Sequence, residues 1–311
     1  MDDGTDDGTD GTDGPDGPDG TDGTDGPDGT AWGPYPLKEQ PVSLAVDRRG
    51  AVARVTLLGP GRGNAMGPDF WREVPVVFEA LDADDDVRAV VVTGSGANFS
   101  YGLDLSSFAG DAGAMLAEDG GLAGARTAFR RRIRDMQGAM DAVAGCRKPV
   151  AAAISGWCVG GGVDLAAACD VRYASADARF SVREVRVAIV ADMGSLQRLP
   201  GIVGEGHLRE LALTGKDVDA ARALAIGLVN DVLPDAAAAF DAAHAFAAEV
   251  AANPPLVVQG VKHVLDHDRD RRVADGLKYV AAWNAAFLPS HDLAEAMTAF
   301  LARRPPEFRG R

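Results

Sequence analysis

Short apolar strands alternate with helical segments through the middle of this 311-residue chain, and that alternation constrains its fold most strongly. The apolar runs Arg88–Thr93 and Pro149–Ile154 predict buried strands. A helix-forming segment over Gly160–Cys169 opens on three glycines, and the strand candidate Val171–Ala174 follows it. After Leu196 the sequence is typical of helices. The pattern therefore predicts an α/β core followed by an α-helical C-terminal part.

The other expected elements follow from hydrophobic periodicity and from turn residues. Strands are expected at Ser43–Val46, Ala51–Leu58 and Ala178–Val182, and helices at Pro68–Leu81, Ala123–Ala144, Gly206–Leu213, Ala220–Ala225, Ala236–Ala252 and Leu293–Arg303. Two separate helices are expected at Leu256–Asp266 and Val273–Ala286. Pro75 should kink its helix or cost about 3 kcal/mol.

The net charge of −15 is concentrated at the N-terminus. Residues 1–30 repeat Asp-Gly-Thr and Asp-Gly-Pro triplets with 11 Asp and no Lys or Arg, whereas the other 281 residues carry 35 acidic and 31 basic side chains. A segment with nothing apolar to bury should stay disordered. We therefore expect an acidic tail over 1–40, an α/β core over 41–235 and a helical region over 236–311. Calcium binding by the tail stays open, although the tail has no Glu to complete an EF-hand loop.

Charge, apolar runs and cysteines exclude several classes of function. Neither the tail nor the body offers a basic surface for nucleic acid or anionic lipid, and charges interrupt every apolar run well before the roughly eighteen residues of a membrane span. The spacing of Cys146, Cys158 and Cys169 matches no zinc site, and no metal is expected. Without a signal-peptide pattern, these cysteines predict buried, reduced thiols in a cytoplasmic protein.

The glycine triplet Gly160–Gly162 is the first candidate for chemistry. Glycines let a backbone approach a ligand closely, and N–H groups at a helix start can hold a developing negative oxygen. The loop over Asn98–Leu105 could offer a second N–H to the same oxygen. Tight packing between a helix and a strand would also favour glycine, but three in a row exceed what packing usually needs.

Three acidic residues stand near these elements: Asp164, Glu184 and Asp192. Asp192 lies in an apolar run, so its carboxylate is either exposed at a loop tip or desolvated. A desolvated carboxyl has a raised pKa and becomes a general acid or base near neutrality. The spacing alone leaves open the alternative that Asp164 only complements the helix N-terminus and that the other two are surface acids.

Several of these motifs together resemble the crotonase (enoyl-CoA hydratase/isomerase) superfamily. The resemblance spans Pro41 to Arg309 and is carried by Lys148–Ala152, Gly160–Leu165, Cys169-Asp170 and the loop Phe99–Leu105. It implies a crotonase fold of repeated ββα units with C-terminal helices that trimerise. It also implies an oxyanion hole formed by the N–H groups of Leu103 and Gly161. The implied substrate-binding residues are Tyr101, Gly102, Leu103, Asp104, Leu105 and Gly161.

Within that superfamily the chain looks most like the Δ3,5-Δ2,4-dienoyl-CoA isomerases. A typical hydratase has Glu where Asp164 stands and Gly where Asp192 stands, and this sequence has Asp at both positions. The resemblance implies that a proton leaves C2 of a 3,5-dienoyl-CoA and that another is delivered at C6. Glu184 would act on the C2 side and Asp192 on the C6 side, with Asp164 tuning both. Coenzyme A would be part of the substrate, and no other cofactor is implied.

Other readings remain open beside the isomerase of fatty acid β-oxidation. An enoyl-CoA hydratase would keep the same oxyanion hole and add water to a 2-enoyl-CoA. A non-catalytic acyl-CoA-binding protein of the same fold would have no need for three acids. The expected partners are an acyl-CoA thioester and further copies of the chain in a homotrimer or hexamer, without nucleic acid or membrane.

Overall fold

The computed structural model describes residues 31–60, 63–108 and 122–311, so the expected disorder of residues 1–30 lies outside the described part. The strands are β1 (Gly33–Pro34), β2 (Leu44–Arg49), β3 (Val52–Leu57), β4 (Ala89–Gly94), β5 (Val150–Ile154), β6 (Trp157–Val159), β7 (Val171–Ser175), β8 (Arg179–Ser181), β9 (Val218–Asp219) and β10 (Asp231–Leu233). The helices are α1 (Pro68–Ala83), α2 (Leu122–Gly145), α3 (Gly161–Ala168), α4 (Ser195–Arg198), α5 (Pro200–Val203), α6 (Glu205–Thr214), α7 (Ala220–Ala225), α8 (Ala236–Ala252), α9 (Pro255–Phe287) and α10 (His291–Leu301), with a 3₁₀ turn at Glu184–Val187.

Within those described ranges, seven strands form one mixed sheet in the order β1-β2-β3-β4-β5-β7-β10. The β1–β2 and β2–β3 pairs are antiparallel, and the strands from β3 to β10 run parallel. A smaller sheet joins β6, β8 and β9. The α/β class predicted from the alternation of strands and helices is confirmed.

The pleat divides the side chains of the main sheet between two apolar layers. One row of paired residues crosses from Val46 through Val55 and Val92 to Ala152, and all four lie in the larger core cluster. Alternate residues of the same strands point to the opposite face and pack against Ala243, Ala247 and Ala251 of α8. The parallel strands are thus covered on both faces, which agrees with their continuous apolar sequences.

The C-terminal region differs from expectation in one respect. Instead of two helices, α9 is a single helix of 33 residues over Pro255–Phe287. The charged run between the two expected helices continues the helix, since Arg269 forms an ion pair with Asp266 one turn earlier. The described ranges contain no helix that is both long and apolar enough to span a membrane.

Helix α1 runs from Pro68 to Ala83 without a break at Pro75, so the proline does not end the helix. Its buried face of Phe70, Val74, Val77, Phe78 and Leu81 packs in the main core. The side chain of Lys148 donates from Nζ to the carbonyl oxygens of residues 81, 82 and 84, at 2.9, 2.5 and 2.7 Å. This buried ammonium group therefore satisfies the C-terminal carbonyls of the helix.

Candidate active site

The loop after β4 is hydrogen-bonded to β6, the strand that precedes the glycine triplet. Ser100 donates its N–H to Trp157 O at 3.0 Å and accepts from Val159 N at 2.9 Å. Gly102 has φ +77°, and a Cβ there would lie 2.5 Å from Val159 O and 2.7 Å from Gly161 N. Only glycine lets the two backbones approach this closely.

The hydrogen bonds to Met66 orient the loop. Gly102 O accepts from Met66 N at 2.7 Å, and Asp104 N donates to Met66 O at 3.1 Å. Because successive N–H groups of an extended chain point to opposite sides, the N–H of Leu103 points away from Met66. Within the described residues it has no backbone acceptor.

The N–H of Gly161 is the second donor. Gly160, with φ +53°, precedes α3, and Gly161 is the first helical residue. Its N–H therefore has no partner within the helix. A Cβ built on Gly161 would lie 3.6 Å from Leu103 N, so the two residues named as oxyanion donors lie side by side. Two neighbouring N–H groups of this kind can together stabilise an enolate oxygen.

Both residues line a cavity of about 500 Å³ whose walls are mainly apolar. It is bounded by Ala65, Trp71, Tyr101, Leu103, Asp104, Leu105, Ser106, Phe108, Phe129, Ile133, Met136, Val159, Gly160, Gly161, Asp164, Arg183, Glu184, Val187, Ile189, Asp192, Met193, Leu288 and Phe300. All three acids named from the sequence are among these residues. An apolar cavity with a few convergent polar groups is the usual form of a small-molecule site.

Asp164 is 1% exposed and lies on the first turn of α3. Its Oδ1 accepts the N–H of Ser195 at the start of α4. Burial raises the pKa of Asp164 to about 6, while the Ser195 N–H and the charge of Arg198 oppose that rise. Asp164 stands in the first turn of the helix, as the helix-end alternative expected, and burial raises its pKa as well.

Glu184 begins the 3₁₀ turn after β8, and its Oε1 lies beside the glycine triplet. A Cβ on Gly160 would lie 3.4 Å from Oε1. Its Oε2 is buried without a hydrogen-bond partner among the described residues. Burial, and next the negative charge of Asp164, raise the pKa of Glu184 well above its ordinary value. The two neighbouring carboxyls therefore resist being ionised at the same time.

Asp192 is desolvated rather than exposed at a loop tip. Its Oδ2 accepts from Asn284 Nδ2 of α9 at 2.7 Å, and its backbone carbonyl accepts from Gln137 Nε2 of α2 at 2.6 Å. Burial raises the pKa of Asp192 to about 7, and the Asn284 bond opposes that rise. A carboxyl that titrates at neutrality can accept or donate a proton under physiological conditions.

The five loop residues named for substrate binding have different places. Tyr101, Leu103, Asp104 and Leu105 line the cavity, whereas Gly102 acts as the spacer between the two backbones. Asp104 accepts from Ser106 N at 3.0 Å and from the Ser107 hydroxyl, so its carboxylate organises the loop. The Tyr101 ring stacks on Trp157, with centroids 6.4 Å apart.

The sequence profile of the enoyl-CoA hydratase/isomerase family matches residues 47–311. The chain belongs to this family. The crotonase fold implied by its motifs is therefore confirmed. Among solved structures, an enoyl-CoA hydratase/isomerase from Pseudoalteromonas atlantica T6c superposes with a TM-score of 0.74 at 28% identity, covering 86% of this chain and 100% of that one.

Several relatives within the family carry the name Delta(3,5)-Delta(2,4)-dienoyl-CoA isomerase. The mitochondrial protein of Homo sapiens is 43% identical over 249 residues, which are 80% of this chain and 75% of that one. The peroxisomal protein of Arabidopsis thaliana is 43% identical over 259 residues, 83% of this chain and 92% of that one.

These names contradict the cytoplasmic location expected from the sequence, because the relatives are mitochondrial or peroxisomal. The physical reason is that the cysteines do not discriminate between compartments. Cys146, Cys158 and Cys169 are buried and unpaired, as expected, but free thiols persist in any reducing compartment.

Four further polar residues support the three acids, and the sequence motifs do not identify them as part of the site. Ser195, Arg198, Gln137 and Asn284 are each at most 4% exposed, although all four residue types are usually found at the surface. Arg198 donates from Nη2 to Asp141 at 2.7 Å and stands near Asp164. Gln137 and Asn284 lie on the apolar faces of their helices. A polar residue at such a position is the sequence signal that could have identified them.

Proposed function

We propose that the protein is a Δ3,5-Δ2,4-dienoyl-CoA isomerase that moves a proton from C2 to C6 of a 3,5-dienoyl-CoA. The observation that carries this proposal is a set of three carboxyls in one apolar cavity, beside the neighbouring N–H groups of Leu103 and Gly161. Asp164 and Asp192 are buried, and so is Oε2 of Glu184. Relatives named for this activity, at 43% identity, support it. The reaction moves protons only, so it needs no cofactor besides the coenzyme A of the substrate.

The N–H groups of Leu103 and Gly161 hold the thioester oxygen. Removal of a C2 proton places negative charge on this oxygen and delocalises the remainder to C6. Loss of one such donor typically lowers the rate by about 10²–10³. The residues Tyr101, Leu103, Asp104 and Leu105 line the thioester and coenzyme A side, with Gly102 keeping Leu103 against Gly161.

Glu184 exchanges the proton at C2, since its Oε1 lies beside the glycine turn and C2 is bonded to the thioester carbon. Asp192, anchored by α9, delivers the proton at C6. In the forward direction Glu184 acts as the carboxylate and Asp192 as the acid. Each turnover leaves Glu184 protonated and Asp192 ionised, so the proton must return to Asp192 before the next turnover. Asp164 lies close enough to shift the pKa of both, and it sets their charge.

The carboxyl pair works only when it holds a single proton. Burial raises the pKa of Asp192 to about 7 and raises the pKa of Glu184 well above its ordinary value. As the pH rises through 7, Asp192 loses the proton that it must deliver at C6. The activity therefore falls on the alkaline side, with a limb near pH 7.

The chain acts as a homotrimer or hexamer in this proposal. Support comes from exposed apolar side chains at the start of α9, namely Leu256, Val257, Val261, Val264 and Leu265. Apolar surface of this kind marks protein–protein contacts. Light scattering of the full chain distinguishes three copies from six and from a monomer.

The test mixes the purified protein with a 3,5-dienoyl-CoA and follows the ultraviolet absorbance of the conjugated 2,4-dienoyl thioester. We expect a rapid rise with the wild type. The rise should be lost, by 10³-fold or more, in Asp192→Asn and Glu184→Gln, because each removes one proton carrier. Both variants should still bind an acyl-CoA. Asp275→Asn, on the exposed surface of the same helix α9, serves as the matched control and should keep full activity.

The rival activity is hydration of a 2-enoyl-CoA, followed in a parallel cuvette. Hydration without any rise of diene absorbance would replace the isomerase by a hydratase. Full activity of Asp192→Asn would remove its assigned role.

A further inference from the structure

Two buried carboxamides from different helices converge on Asp192. Asn284 of α9 is 1% exposed, and its Nδ2 donates to Asp192 Oδ2 at 2.7 Å and to Val190 O at 2.9 Å. Gln137 of α2 is fully buried, and its Nε2 donates to Asp192 O at 2.6 Å and to Leu277 O at 3.3 Å. One amide thus holds the side chain of Asp192, and the other holds its backbone.

We propose that Asn284 is the positioning residue of Asp192, fixing the carboxyl that exchanges the proton at C6. This proposal rests on the isomerase function proposed above. The bond is made to Oδ2, which leaves Oδ1 without a side-chain partner among the described residues. Because Asn284 also holds Val190 O, its amide is fixed in place before the substrate arrives. The long helix α9 therefore takes part in the active site through a single buried amide.

The two amides should act on Asp192 in distinguishable ways. An N–H donor to a carboxylate stabilises the charged form, so Asn284 lowers the pKa of Asp192 from the value that burial alone would give. Gln137 contacts only the backbone of Asp192 and is itself held by Arg134 at 2.6 Å. It restrains the position of Asp192 without a direct bond to the titrating oxygens.

Other charged groups near Asp192 stay the same when Asn284 or Gln137 is replaced. Asp164 of α3 and Glu184 of the 3₁₀ turn oppose its ionisation or compete for the same proton. Arg198 of α4 donates to Met193 O, next to Asp192, at 3.4 Å. Arg134 of α2 reaches Asp192 only through Gln137. None of these groups is altered by a change at Asn284, so they do not confound the comparison.

The experiment measures kcat/KM against pH for the wild type, Asn284→Leu and Gln137→Leu. In Asn284→Leu we expect the alkaline limb, which reports the ionisation of Asp192, to move upward by about one pH unit, the effect of losing one hydrogen bond to a charged group. In Gln137→Leu the rate should fall at every pH with the limb in its original place. Lys278→Leu, on the exposed side of α9, should change neither.

An Asn284→Leu enzyme that is folded by circular dichroism and keeps the wild-type limb would overturn the proposal. If Asn284→Leu does not fold, Asn284→Asp keeps the shape and replaces the donor by an acid. Its limb should then move upward further, and an unchanged limb would again refute the role of Asn284.

A second readout separates this proposal from the proposed function. Infrared spectroscopy of the empty protein follows the protonated carboxyl band of Asp192, assigned by its loss in Asp192→Asn. The titration midpoint should rise in Asn284→Leu even if the wild type proves inactive on dienoyl-CoA. An inactive wild type with that shift refutes only the isomerase, whereas no shift refutes the positioning role.

Discussion

At the scale of single residues, three carboxyl groups lie together in an apolar cavity, where they are shielded from water. Asp164 and Asp192 have pKa values raised to about 6 and about 7, with desolvation as the largest cause. An acid whose pKa is higher in the folded than in the unfolded chain destabilises the fold once the unfolded carboxyl ionises. The proposed catalytic groups are therefore expected to reduce the stability of the protein.

Asp192→Asn should stabilise the protein at neutral pH. Below about pH 4 the carboxyl is protonated in both folded and unfolded chains, so the substitution should have little effect there. Between about pH 4 and 7 only the unfolded chain ionises, and the gain should grow to roughly 4 kcal/mol at pH 8. Urea unfolding at pH 4 and pH 8 measures it. An equal gain at both pH values would show that the carboxyl is not desolvated in the folded protein.

The sequence identified the acids but not the groups that hold them. Asp164, Glu184 and Asp192 lie within one stretch of 29 residues that begins on the helix of the glycine triplet, so motifs close together in the sequence identify all three. Asn284 is separated from Asp192 by 92 positions. Its contact depends on how α9 returns across the cavity, which is a tertiary packing result that local patterns do not contain.

At the scale of elements, periodicity predicted the longer helices and strands, but it did not predict the short strands β1, β6, β9 and β10 or the short helices α4 and α5. The charged run between Asp266 and Val273 predicts a gap between two helices, yet charged residues form good helices when they pair along one face. Helix α1 continues through Pro75 as predicted, because burial of its apolar face outweighs the hydrogen bond that proline removes.

Pro75→Ala should therefore stabilise the protein by about 2 kcal/mol, since alanine restores the missing N–H donor inside α1. Reversible urea denaturation measures the gain, with an unchanged slope against urea concentration. Val76→Ala, at an exposed position of the same helix, is the matched control and should change stability by about 0.5 kcal/mol or less. A loss of stability in Pro75→Ala would mean that the ring contributes packing that the helix needs.

At the scale of the whole molecule, the fold brings distant segments to one cavity. The loop after β4 and the glycine turn after β6 supply the two N–H groups, the turn after β8 supplies Glu184, and α9 fixes Asp192. The sequence predicted the α/β core and, through its motifs, the crotonase fold, while the donor roles of Leu103 and Gly161 stay predictions. It did not predict the cavity walls from α2 and α10, because those contacts join segments far apart in the chain.

A proton shift from C2 to C6 is best detected by the position of isotope in the product. A 3,5-dienoyl-CoA would be converted in heavy water and the product analysed by nuclear magnetic resonance and mass spectrometry. We expect a 2,4-dienoyl-CoA that carries deuterium at C6, with its formation lost in Asp192→Asn. Deuterium at C4 in a product that is not a conjugated 2,4-diene, or a hydroxyl group at C3, would rule out the proposed proton shift.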